Sequence, residues 1–144
     1  MSDDTINQRT VNGNKTNDPA DFDWVTERYN CSLPIVFSAL REQVENDVKI
    51  RNERRPELAP YEFSMEEDVG EFTVVRKIGD ARKSVTFKLE EHAIVILDHE
   101  RLQLFEVAVR FTEDGVCQLK AKDEKCELWQ VRRMALEPLM FHAN

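Results

Sequence analysis

Side chains able to do chemistry are few in this sequence, and they are scattered. The three histidines are His92, His99 and His142, and none stands in an H-E-x-x-H or comparable ligand spacing. His99 lies between Asp98 and Glu100, and two flanking carboxylates could hold a metal weakly. Side chains of adjacent residues splay apart, however, so they close no coordination shell and a solvated loop is the simpler reading. His92 reads as a half-buried residue at a strand edge, and His142 belongs to the chain end. A carboxylate working as acid or base is usually desolvated inside an apolar row, and Glu106 is the one candidate. It shares its parity with Leu102, Leu104 and Ala108 and would want Arg76 or Arg110 as partner if both sheet faces were covered. A solvent-facing glutamate explains the same pattern more simply. No G-x-S-x-G, P-loop or G-x-G-x-x-G occurs, and the four glycines look like tail or turn residues. Without a triad, dyad, metal set or phosphate cradle, the expectation is a protein that is not an enzyme and uses no metal and no cofactor.

Cys31, Cys117 and Cys126 are odd in number and contain no C-x-x-C, which indicates neither a disulfide framework nor a zinc knuckle. Cys117 alternates with Leu119 and Ala121 and is expected to be a small core residue. Two apolar features could face a partner instead of the core. Trp24 and Trp129 are candidates for an apolar pocket or a partner surface, with core as the plainer alternative. Leu136, Leu139, Met140 and Phe141 crowd around Pro138 in greater number than one face of a short helix needs. They are candidates for docking a protein partner or a second copy.

Whatever these residues do, 144 residues must position them. That length suits one domain that buries roughly 70% of its unfolded surface. Hydrophobic residues make up 41% and charged residues 33%, which excludes disordered, collagen-like and disulfide-scaffold chains. No apolar run approaches the roughly 18 residues of a membrane span, and the first residues hold no apolar signal core. A soluble, cytoplasmic protein with no membrane partner is expected. Twenty basic against 28 acidic residues give a net charge of −8. A field of that sign repels phosphate backbones, so no nucleic acid is expected as a partner.

Residues 1–20 are polar and are expected to form a flexible tail, with a single α+β domain over 21–144. Phe22 to Cys31 alternates loosely and suggests a short strand, with a helical turn as alternative. Leu33, Val36, Phe37, Leu40, Val44, Val48 and Arg51 then recur at spacings of three and four, predicting an amphipathic helix over roughly 33–54 that ends before Pro56. After Pro60 the period becomes two. The rows Tyr61-Phe63-Met65, Phe72-Val74-Arg76-Ile78, Val85-Phe87-Leu89, His92 to Leu97, Phe105-Val107-Val109-Phe111 and Cys117-Leu119-Ala121 predict six strands. The polar connections between them are short, which implies an antiparallel meander. Leu128, Val131, Ala135 and Leu139 return to helical spacing, with Asp123 as a plausible cap and Pro138 ending the regular helix.

One helix can cover so wide a sheet only if the sheet curls around it. The expected fold is therefore a curved antiparallel sheet of six to seven strands wrapped on a long N-terminal helix, with a short C-terminal helix. This order is similar to that of helix-grip domains, the group containing lipid-transfer START domains and polyketide cyclases. It departs in lacking two short helices after the first strand and in its shorter last helix. Two functions follow as expectations: a non-catalytic interaction or regulatory module, or a carrier whose apolar small ligand lies between helix and sheet.

Overall fold

The computed structural model describes residues 21–142. The tail expected over 1–20 lies outside the described residues, as do the last two positions of the expected domain. The order is α1 (Trp24–Asn30), α2 (Leu33–Glu53), β1 (Tyr61–Asp68), β2 (Glu71–Ile78), β3 (Ala81–Leu89), β4 (Ile94–Leu97), β5 (Gln103–Phe111), β6 (Cys117–Ala121), β7 (Glu124–Cys126), α3 (Leu128–Glu137) and a π-helical turn, Pro138–His142. All seven strands join one antiparallel sheet in sequence order. The class is α+β, with the long helix before the sheet and the short one after it.

Register follows from alternation. Phe72, Phe87, Ile96 and Phe105 stand opposite one another across β2 to β5, and Ile94, Val107 and Ala121 form the next row across β4 to β6. A slip of one residue on any strand would turn its row to the other face. Against this face α2 lays Val36, Leu40, Val44 and Val48, all buried and four residues apart. Phe37 meets Phe72 with ring centroids 5.2 Å apart, and Phe72 stacks on Phe87 at 4.7 Å, so side chains fill the space between helix and sheet. α3 adds Val131, Ala135 and Leu136 beside α2.

The opposite face of the sheet is mixed, with buried Val75 and Leu97 among polar side chains, and is partly covered by the β4–β5 loop. Arg101 pairs with Glu71 at 3.2 Å, and His99 Nδ1 lies 3.0 Å from Ser84 Oγ. Beneath them the Thr73 and Thr86 hydroxyls meet at 2.8 Å. The free edge of β1 is closed in part by α2: the Asn52 side-chain amide donates to the Phe63 carbonyl at 2.8 Å and accepts from the Phe63 N–H at 3.0 Å. Arg55 donates to the Tyr61 carbonyl. Side chains thus occupy backbone groups that would otherwise recruit another strand.

Several sequence expectations are corrected. Residues 24–30 form a helix, the alternative to the short strand expected there. Asp23 caps it by accepting from the Thr26 N–H and hydroxyl, and these bonds hold its carboxyl below the ordinary value of 3.8. Cys117 is exposed, and it is bonded to Cys31 across 86 residues of sequence. Phe22 helps bring the two segments together by packing on Gly115. That residue's positive φ of 81° makes the β5–β6 turn, and a Cβ there would lie 2.8 Å from the Phe22 ring. A seventh strand, β7, follows a two-residue turn in which Lys122 and Asp123 both take positive φ. The cap of α3 is accordingly Glu127, in a reciprocal pair with Gln130, and not Asp123. His92 is fully solvent-facing and precedes β4.

Candidate docking groove

Two helix faces meet at the end of the molecule remote from α1. Asp47, Ile50 and Arg51 on α2, and Arg54 at its C-cap, follow one another at helical spacing beside the buried stripe. On α3, Trp129, Arg132, Arg133, Leu136 and Glu137 form the corresponding face, which the π turn extends with Met140 and Phe141. Between them lies an open groove of about 600 Å³, lined also by Tyr61 and Pro56.

The groove is built by a small number of strong contacts. Arg132 Nε reaches Asp47 at 2.7 Å, both side chains being largely withdrawn from water, and Arg132 also donates to Gln43. This pair ties α3 to α2. Arg51 fixes the chain end, since its Nε and Nη2 donate to the Met140 carbonyl at 3.2 and 3.0 Å and Nη2 also donates to the Tyr61 hydroxyl. Its guanidinium stands 4.9 Å from the centroid of Phe141 and 5.2 Å from that of Phe63. Pro138 lacks the N–H that a regular helix would bond back to the preceding turn. The chain winds wider there, which turns both Leu139 and Met140 into the core and leaves Phe141 outside.

The sequence-derived candidates divide accordingly. Leu136, Leu139 and Met140 are buried, so the docking cluster is in large part core, while Phe141 remains 66% exposed. Trp129 is half exposed and forms one wall of the groove. Trp24 is exposed on α1 and takes no part in it, so the two tryptophans do not share a pocket, and neither is core. Ile50, Arg54 and Arg133 complete the site. The doublets Arg54-Arg55 and Arg132-Arg133 are the sequence signal for these two arginines, and Ile50 carries none, since it stands outside the buried stripe of α2.

No family model, curated protein or solved structure matches this chain.

The residues weighed for catalysis do not converge. Glu106 is exposed and accepts from the Gln103 amide. The Asp98 carboxylate accepts from the N–H groups of Glu100 and Leu102, not from the ring of His99. The Ser84–His99 pair lies on the open sheet face, outside the groove. No group of three or more His, Cys, Asp or Glu side chains among the described residues could hold a metal. No helix among them is long and apolar enough to cross a membrane. Burial pushes the thiol of Cys126 up, away from the thiolate that a nucleophile requires.

Proposed function

We propose that this protein is a non-catalytic interaction module that binds a segment of another protein in the groove between α2 and α3. One observation carries the reading: Ile50, Trp129 and Phe141 remain 44%, 50% and 66% exposed around a single concave surface. Isolated exposed apolar residues are ordinary, but three large ones converging on one groove mark an interaction site. Trp and Arg, the residue types that dominate binding energy at interfaces, are both present. A photo-crosslinking side chain at Ile50, compared with one at the equally apolar but isolated Val69, tests the proposal in the native cell. One discrete protein adduct from position 50 and none from position 69 is expected. Equal labelling from both positions, or none from either, would end the docking reading.

A second reading keeps the apolar small ligand but moves it. Side chains fill the space under α2, whereas the groove's volume lies within the few hundred to a thousand Å³ common for small-ligand sites. A fatty acid at a hundred times its Kd would add about 2.7 kcal/mol of stability, so a thermal-shift series separates the two readings. A cytoplasmic address is also a proposal. The Cys31–Cys117 bond weighs against it, because disulfides persist mainly where thiols are oxidised. Rapid thiol alkylation in the native cell decides between the two.

A further inference from the structure

We propose that the segment received by the groove is acidic and amphipathic, with carboxylates about one helical turn apart beside large apolar side chains. This proposal rests on the docking reading above and specifies its partner. The argument is one of charge. The chain carries a net −8, yet the groove is lined by four arginines and only two carboxylates. Both carboxylates already face cations: Asp47 pairs with Arg132 and Glu137 with Arg133. Among the described residues no carboxylate pairs with the two remaining guanidiniums. Arg51 donates to a carbonyl and a hydroxyl, which are uncharged, and exposed Arg54 has no hydrogen bond or ion pair from its side chain among the described residues.

Arg51 in the last turn of α2 and Arg54 at its C-cap are three residues apart, so they stand as neighbours on one side of the helix end. They lie beside the apolar wall of Ile50, Trp129 and Phe141, not at a distance from it. A basic segment would meet these guanidiniums as like charges, and a neutral segment would leave both positive charges uncompensated in a partly desolvated groove. An acidic segment supplies the missing anions. It is also repelled by the rest of this acidic surface, which confines it to the groove. A bidentate carboxylate on Arg54, with a second carboxylate on Nη1 of Arg51, whose Nε and Nη2 are already engaged, would in addition fix its register.

The test is a display selection of randomised peptides, about fifteen residues long, on the full chain, counter-screened with Ile50→Asp. Enriched peptides should be acidic, carry large apolar residues at helical spacing and depend on Ile50. The best synthetic peptide should lose about tenfold in affinity against Arg54→Glu, lose less against Arg54→Gln, and weaken as salt rises. Its charge-reversed version should bind Arg54→Glu better than the unaltered protein. Peptides that depend on Ile50 but are neutral or basic, or indifferent to Arg54→Glu and to salt, would overturn the partner class and leave the docking reading intact. Enrichment independent of Ile50 would overturn both, as would no enrichment at all. Melting curves of each variant establish that it is folded before it is compared.

Discussion

Reducing the Cys31–Cys117 bond should be the most costly mild perturbation of this protein. The bond closes a loop of 86 residues that contains α2 and the first five strands. Opening it returns loop-closure entropy to the unfolded chain, which for that length comes to about 4.6 kcal/mol. Little native packing is lost alongside, because α1, on the outer side of Cys31, buries none of its own residues. A domain of roughly 120 residues loses about 0.25 kcal/mol of stability per degree near its midpoint, so the full entropic value corresponds to a fall of about 18 °C. The assay is a thermal melt with and without dithiothreitol, with alkylation and mass measurement confirming one free thiol before reduction and three after. Cys31→Ser should reproduce the fall without reductant, and Cys126→Ser should not. A shift below about 2 °C with all three thiols alkylated would refute the reasoning, since the loop would then not be constraining the unfolded chain.

Other consequences are equally open to measurement. Leu40→Ala removes a fully buried side chain facing the sheet and should cost about 2 to 5 kcal/mol in urea unfolding, whereas Glu42→Ala on the wet face should cost less than about 0.5 kcal/mol. Asn52→Leu should lower stability by about 1 to 3 kcal/mol, because it strands the Phe63 N–H and carbonyl. It should also promote concentration-dependent association through β1 in sedimentation. The Asp23 carboxyl is held below 3.8 by the Thr26 bonds, so its cap is fully formed above that pH and is lost as pH falls through the lower folded value. Amide exchange over 24–30 should accelerate there while exchange in α2 does not.

The parts legible in the sequence are those where burial imposes a period. Val36, Leu40, Val44 and Val48 revealed α2, and alternating rows such as Val85-Phe87-Leu89 revealed the meander. Elements that bury little were misread for the same reason. α1 buries nothing, so no apolar stripe marks it, although Asp23 with Thr26 three residues on was an available capping signal. Strand β7 is three residues long, two of them charged, and its turn uses Lys122 and Asp123 at positive φ instead of a glycine. The disulfide depends on two segments that only the folded chain brings together. The groove is intermediate. The apolar excess around Pro138 was visible, but its second wall comes from α2, some eighty residues earlier, and residues placed so far apart share a site only through the fold.

The central claim is that the exposed apolar residues of the groove serve binding and not folding. It is tested most directly by titrating the protein crosslinked from position 50, once purified, against the unaltered chain and against Ile50→Asp. Ile50 is 44% exposed and outside the buried stripe of α2, so the substitution should leave the melting temperature within a few degrees. The account predicts that affinity falls by about a hundredfold or more, because a charge would be placed in the apolar wall. Unchanged affinity in a folded Ile50→Asp protein would contradict it.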